Sequence, residues 1–507
     1  MNRHLSRRDF LKLAGLAPLS IAAPSVMHSL GIPQALQHSQ KNVIIVVCDA
    51  LSAYNISLYG YGRETMPNLS RLARRATVYH NHFAGGNFTT PGTASLLTGT
   101  LPWTHRAFVF NGKVTQKHVD RNIFQTFSDY YRLTYTHNSL VATLLKQFYG
   151  SLDNLIPIEK LLLTYDGFIP TLFPGDDDIA NVSWVRAIKN KDEGYSYSLF
   201  LSNFYKLFSE NKVAGLRPSF PIDLPNISGD NYYLLEQAVD WIGDLLGTVR
   251  QPFLGYFHFL PPHYPYNTHR EFFGRFDKDG FEPVEKPLDP FSQNQGRKNL
   301  PKKRKEYDEF ILYADREFGR FYDHLEAAGL LENSILVFTS DHGELFERSI
   351  IGHRTPVLYQ PIIRVPLLIF EPGQETRRDI FTPTSAVDVM PTLLHLTDHK
   401  IPAWVEGTVL PPYAPAKPGQ PVYALQAWNN EPDAPLEHAT AMLVKGRYKL
   451  IYYFGYAPSG TDQRIQLFDL ENDPEELTDL ASLETTTTQQ LWDELKVKLA
   501  DANQAYQ

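Results

Sequence analysis

Asp49, Asp341, His342 and Thr89 are the residues whose types and placing suggest chemistry. Asp49 closes the apolar run Asn42-Val43-Ile44-Ile45-Val46-Val47-Cys48, and Asp341-His342 closes a second run that begins at Ser334. Two carboxylates and an imidazole supply hard oxygen and nitrogen donors, a set better suited to one divalent cation than to a structural salt bridge. Thr89 lies in Asn87-Phe88-Thr89-Thr90-Pro91-Gly92-Thr93. A hydroxyl before a proline and small residues belongs at or near a helix N-terminus, where backbone N–H groups and the dipole favour an anion. Threonine is also a routine helix cap, so the segment gains meaning only beside the acids.

The elements that must position these groups are legible from pattern. Continuous β-branched runs without alternation suit strands buried on both faces of a parallel sheet, and such sheets gather chemistry at their carboxyl ends. Both acids would then share one rim. Further strands are predicted at Arg132–Asn138, Phe253–Leu260 and Val365–Phe370. Helices are predicted over Pro67–Arg75, Asn231–Leu246, Glu306–Ala328 and Ala386–Leu396. Gly329 is a natural stop for the long third helix. This alternation argues for an α/β, doubly wound domain over 39–400. Residues 139–226 are irregular and aromatic, and read as an insertion over the rim. After a proline-rich stretch near 402–421, Ala441–Phe454 alternates like an antiparallel hairpin and Thr487–Ala502 is helical. Residues 401–507 therefore read as a small C-terminal α+β subdomain.

With 507 residues, 43% of them hydrophobic, the chain can bury a large core, and its net charge of -8 gives no support to a nucleic-acid partner. The single cysteine, Cys48, excludes a disulfide framework and reads as core packing inside a strand. Ser6-Arg7-Arg8-Asp9-Phe10-Leu11-Lys12, followed by apolar Leu13–Ala23, describes a signal segment over 1–38 that resembles a twin-arginine export signal. The expected location is periplasmic or extracytoplasmic, with membrane anchoring if the segment is not cleaved. The cluster Lys302-Lys303-Arg304-Lys305 is most simply a solvated helix start, and would meet anionic lipid if the protein stays by a membrane.

Taken together, the segments resemble the sulfatase branch of the alkaline phosphatase superfamily. The matching stretches are Asp49-Ala50-Leu51 with Leu58-Tyr59-Gly60-Tyr61, Met66-Pro67-Asn68-Leu69, Thr89-Thr90-Pro91 with Leu96-Leu97-Thr98-Gly99, and Pro262-His263-Tyr264-Pro265-Tyr266. Ser340-Asp341-His342-Gly343-Glu344, Gly352-His353, Ile363-Arg364-Val365-Pro366-Leu367 and the segment Leu467–Glu476 continue the match. The resemblance implies an alkaline-phosphatase-like sheet flanked by helices. Two departures stand out. Thr89 occupies the place of the cysteine or serine that such sulfatases convert to formylglycine, and the motif arginine falls at Thr93. The usual second aspartate of the first metal strand falls at Ala50. An acid, a threonine and an Asp-His pair instead resemble the phosphoethanolamine transferases and lipoteichoic acid synthases of the same superfamily.

The resemblance implies that Asp49, Thr89, Asp341 and His342 hold one divalent metal ion, with zinc or manganese favoured and calcium possible. Thr89 is the expected nucleophile, and His263 and His353 are expected to donate to the ester oxygens or protonate the leaving group. A formylglycine hydrate has a second hydroxyl with which to expel sulfate, and threonine has none. A phospho-threonine can be resolved in line by water or an alcohol, which favours phosphoesters. The expected substrates are small-molecule, glycan or lipid-linked phosphate or sulfate esters. Hydrolysis of sulfate esters without formylglycine, and an inactive relative that binds an anionic envelope component, are the competing readings. Asn87, His105, Asn138 and His258 are weaker candidates, with His258 read as a satisfied core histidine inside its strand, and Arg364 is as well explained by a structural pairing. Oligomeric state is not readable.

Overall fold

In the computed structural model, residues 40–163, 210–292, 299–417, 419–456 and 463–506 are described. The chain divides after residue 39; the second unit, 40–507, is compact, and the export reading of 1–38 falls outside the described residues. Among the described residues no helix is long and apolar enough to cross a membrane.

The second unit is built on an eight-stranded sheet. Its strands are β1 (Asn42–Cys48), β2 (Thr77–Tyr79), β3 (Tyr131–Thr136), β4 (Asn154–Leu155), β5 (Phe253–Phe259), β6 (Ser334–Thr339), β7 (Leu367–Phe370) and β8 (Arg378–Ile380), in the order β8-β2-β7-β6-β1-β5-β3-β4. β1 pairs in parallel with both β5 and β6, while β7 runs antiparallel to β6 and β2. The sheet is therefore mixed, because β7 is reversed.

β1 shows why its sequence is apolar throughout. Ile44, Val46 and Cys48 enter one core layer, and Val43, Ile45 and Val47 enter the other. Successive side chains of a strand point to opposite faces, so a strand covered on both sides has no polar positions. The first layer packs beneath α1 (Pro67–Leu72), α4 (Leu235–Leu246) and α5 (Leu300–Ala327); the second beneath α2 (Thr89–Thr98), α3 (Ser139–Gln147) and α6 (Val389–Leu396). α5 starts earlier than expected, with Pro301 in its first turn, so the basic cluster is helical and Arg304 is buried, donating to Phe346 O at 2.6 Å.

The insertion reading of 139–226 fails at its start. Ser139–Gln147 is a helix that buries Leu140, Val141, Leu144 and Leu145, and the Asn138 side chain caps it by accepting from Leu140 N and Val141 N. Leu155 then joins the sheet edge beside Thr134. Residues 164–209 lie outside the described residues.

Beyond the proline-rich stretch, β9 (Val422–Gln426), β10 (Ala439–Lys445), β11 (Tyr448–Phe454) and β12 (Gln463–Asp469) form an antiparallel sheet, on which α7 (Thr485–Gln504) packs through Leu491, Leu495 and Leu499. β9 reaches back to the large sheet's rim. Leu425 N donates to Gly85 O at 2.9 Å, and a Cβ on Gly86 would lie 3.1 Å from Leu425 O. The loop before Thr89 is thus clasped by the second sheet.

Candidate active site

Register places the two acids together. Val47 of β1 lies opposite Thr339 of β6, and Asp49 and Asp341 each follow two residues later, on one rim and with matching parity. On the other side of β1, Val47 lies opposite His258 of β5, which lies opposite Thr136 of β3; Asn138 follows Thr136 by two. Four polar side chains therefore line the carboxyl edge, and all four are buried.

Thr89 is the first residue of α2, and Gly92 lets that helix press against the rim. A Cβ on Gly92 would sit 2.1 Å from Asp341 O, so any other residue would force the helix and the acid apart. Thr89 Oγ1 lies 3.4 Å from His342 Nε2 and 3.5 Å from Asn138 Nδ2.

Each carboxylate spends one oxygen on the protein and leaves the other free. Asp49 Oδ2 accepts from Asn138 Nδ2 at 2.5 Å and lies 3.2 Å from His258 Nε2. Asp341 Oδ1 accepts from Ala50 N at 3.2 Å and from His342 N at 3.0 Å. Asp49 Oδ1 and Asp341 Oδ2 are buried without a hydrogen-bond partner. His342 Nδ1 bonds Gly343 O at 2.8 Å, and because a carbonyl only accepts, Nδ1 carries the proton. The lone pair of Nε2 then faces both orphaned oxygens, at 3.5 Å from Asp49 Oδ1 and 3.7 Å from Asp341 Oδ2.

Two unsatisfied buried oxygens facing an imidazole lone pair fit a divalent cation, and one atom from each of Asp49, Asp341 and His342 lies within 4.8 Å of the others. Electrostatics agree. Burial raises the affinity of the Asp49 carboxyl for a proton, but His263, His258 and His342 outweigh it and hold its pKa well below the ordinary range. Burial lowers that of His342, yet Asp341 and Asp49 lift it to about 9, so Nε2 holds a proton at neutral pH that a bound cation would displace to reach the lone pair. The cluster draws positive charge to its centre.

Ala50 stands where the resemblance expects a second aspartate. Its φ of 59° makes a left-handed turn, and its backbone N–H serves Asp341 while its carbonyl accepts from Tyr307 at 2.6 Å. Thr93 is fully buried on α2.

The remaining candidates divide clearly. The His353 ring lies tilted against its neighbours, 4.4 Å between centroids from His342 and 5.1 Å from His263, so both expected histidines join the cluster. Asn87 donates to His353 O at 3.0 Å and to Thr355 O at 2.7 Å, tying the His353 loop to the nucleophile segment. His105 bonds Ser95 and Ala107 N, and burial lowers its pKa to about 3, so it is a neutral core residue. Arg364 donates to His80 O at 2.9 Å, a structural pairing.

His258 is a satisfied core histidine, buried inside its strand and bonded at both ring nitrogens, and it also faces the site: Tyr256 bonds its Nδ1 at 2.9 Å, and Nε2 lies 3.2 and 3.8 Å from the Asp49 and Asp341 carboxylates. Tyr256 and His258 share one strand face two residues apart, and that pairing was the available signal. Glu344 is a residue to which sequence reasoning assigned no role.

A sheet of this order with acids, imidazoles and a helix-borne hydroxyl at its carboxyl edge is the architecture of the alkaline phosphatase superfamily. The phosphonate monoester hydrolase of Agrobacterium radiobacter superposes with a TM-score of 0.66 over 91% of this chain and 96% of that one, at 17% identity. The sulfatase family model matches residues 41–399, and the model described as N-sulphoglucosamine sulphohydrolase, C-terminal, matches residues 353–505. The chain belongs to the sulfatase family, and it is an ester hydrolase for sulfate or phosphate esters. Members of that family bind a divalent metal ion. Similar proteins include a choline-sulfatase of Rhizobium meliloti, 25% identical over 87% of this chain and 82% of its own length. Another is the multifunctional alkaline phosphatase superfamily protein PehA of Trinickia caryophylli, 23% identical over 87% of this chain and 91% of its own.

Proposed function

We propose that the chain is an exported, metal-dependent hydrolase or transferase that acts on phosphate or sulfate esters through Thr89, with phosphoesters favoured. The observation that carries this is the Thr89 hydroxyl, 3.4 Å from His342 Nε2 and on the first turn of a helix that presses on Asp341. Asp49, Asp341, His342 and the Thr89 oxygen would hold the ion. When bound, a divalent cation lowers the pKa of a coordinated hydroxyl and offsets charge on a non-bridging ester oxygen.

The chain's own residues do the rest. Thr89 Oγ1 forms the new bond to phosphorus or sulfur as the bond to the departing oxygen breaks, and its proton leaves to solvent. His353 and His263, whose rings stand 5.1 Å apart beside His342, donate to a non-bridging oxygen or to the departing one. Water or an acceptor alcohol then attacks in line and releases Thr89. A threonine cannot form an aldehyde hydrate, so a sulfated Thr89 has no internal route of release; this supports the phosphoester preference. Export rests on Arg7-Arg8 and the apolar stretch after them. Small-molecule, glycan or lipid-linked esters are the substrate classes proposed.

The test is turnover of 4-nitrophenyl sulfate, phosphate and a nitrophenyl phosphodiester by metal-loaded protein, with Thr89→Ala and Thr89→Ser beside it. Phosphoester turnover that falls at least about 10³-fold in Thr89→Ala, and far less in Thr89→Ser, is expected. Undiminished turnover by Thr89→Ala would overturn the nucleophile, exclusive sulfate turnover would overturn the preference, and none with any ester would favour a binding-only relative.

A further inference from the structure

We infer that Glu344 is a positioning residue for His353, fixing which ring nitrogen faces the ester; this deepens the reading of the site given above. Glu344 is 1% exposed, and one of its oxygens, Oε1, lies 3.1 Å from His353 Nδ1. The other, Oε2, accepts from the Tyr266 hydroxyl at 3.2 Å. An ionised carboxylate can only accept, so His353 Nδ1 carries a proton in both charge states of the ring, and Nε2 is the nitrogen that takes up, and passes to the ester, the second proton. The neighbouring rings of His342 and His263 confine the imidazole plane, and Asn87 pins the His353 carbonyl. Ring and backbone of His353 are therefore both held, by different segments of the chain.

The placing of the carboxylate is hard to explain as packing. A carboxylate buried this deeply is costly unless a fixed cation or several donors compensate it. Among the described residues Glu344 makes its ion pair with His353, and no Lys or Arg pairs with it. A leucine of similar size would fill the space without that cost. The retained charge is accounted for by what it does to His353: it holds the Nδ1–H and so leaves Nε2 as the free nitrogen of a ring that lies 4.4 Å between centroids from that of His342. Tyr266, buried and packed against the paired rings of Tyr307 and Phe346, orients the carboxylate in turn. Tyr266, Glu344 and His353 thus form a chain of support that ends at the ester oxygen, of the kind that holds reacting groups in register in other active sites.

The experiment compares Glu344→Leu, Glu344→Gln, Tyr266→Phe and His353→Ala in the full metal-loaded chain, with Thr89→Ala as reference. Substrates are 4-nitrophenyl, 4-chlorophenyl and phenyl phosphates and the matching sulfates. If Glu344 orients His353 toward the departing oxygen, Glu344→Leu lowers kcat by about 10- to 100-fold, more for phenyl than for nitrophenyl esters, in parallel with His353→Ala. Glu344→Gln keeps most of the activity, because its amide oxygen still accepts from Nδ1. Tyr266→Phe shows a weaker form of the same trend. A readout independent of turnover is the ¹⁵N spectrum of the His353 ring, expected as the Nδ1–H tautomer in wild type and Glu344→Gln and as a mixture in Glu344→Leu. A loss equal across all leaving groups, Glu344→Gln as damaged as Glu344→Leu, or an unchanged tautomer in Glu344→Leu would each overturn the role. Where His353→Ala shows the leaving-group trend and Glu344→Leu does not, only the positioning role falls. Where Thr89→Ala retains turnover, the underlying reading of the site falls.

Discussion

Replacing Gly92 by alanine should damage the site more than the fold. The new Cβ would meet Asp341 O at 2.1 Å and its carbonyl carbon at 2.9 Å, against an ordinary contact of 3.4 Å or more. Neither atom is the end of a flexible side chain, so α2 and the rim must part by about 1 Å. Overpacking of this kind costs about 1–3 kcal/mol of stability, and a displacement of about 1 Å between reacting groups can cost about 10²-fold in rate. Thr89 and Asp341 move apart together, so metal affinity should fall with kcat. The assay is kcat and bound metal in Gly92→Ala, with thermal melting to separate the two effects. Gly150→Ala, where nothing lies within 4 Å of the new Cβ, serves as control. A Gly92→Ala protein with wild-type kcat and metal content would refute the claim that α2 sets the distance between hydroxyl and acid.

Three further outcomes are expected. His258→Ala removes a donor to Asp49 and should weaken metal binding about 10- to 100-fold, measured by competition with a chromogenic chelator. Lys449 and Glu476 form a fully buried ion pair at 2.6 Å, so Glu476→Ala should cost about 3–5 kcal/mol in denaturant unfolding, while a Lys449→Met, Glu476→Leu pair should cost much less. Burial lifts the Asp315 carboxyl to about 6, although Asn68 and Leu69 donate to it. An acid raised in the folded state binds more protons folded than unfolded, so its contribution to stability is present at low pH and is lost as pH rises from about 4 through 6. At most about 3 kcal/mol is involved, and Asp315→Asn should flatten that part of the melting-temperature profile whatever it does to the overall level.

Much of the site was legible because its residues end strands whose composition admits one environment only. β1 and β6 announce themselves by unbroken β-branched runs, and the acids that follow must meet at the rim once the strands are neighbours. His258 hid for the opposite reason. It sits inside such a run, where an apolar neighbourhood normally means packing, and only the register with Val47 reveals that it faces Asp49. The helix Ser139–Gln147 was lost among the aromatics that follow it, although Asn138 and the spacing of Leu140, Val141, Leu144 and Leu145 mark both its cap and its face. The reversal of β7 was beyond reach, because four apolar residues carry no sign of direction. Gly92 and Gly343 were visible as glycines but not as contacts; the backbone each one admits, Asp341 O and Pro361 O, comes from far along the chain.

The rung between Leu425 and Gly85 has a bearing on how such proteins can be recombined. A chain cut near residue 401 would separate the nucleophile loop from the strand that clasps it, so the first part alone would carry all of its candidate ligands with the loop before Thr89 unsupported. Exchange of C-terminal parts between relatives would act on the chemistry at a distance, through the pitch of that loop. Trp428, against Phe88 at 6.1 Å between ring centroids, lies just past β9. Variation there would retune the nucleophile while every ligand stayed the same, which gives evolution a dial on reactivity outside the catalytic half of the molecule.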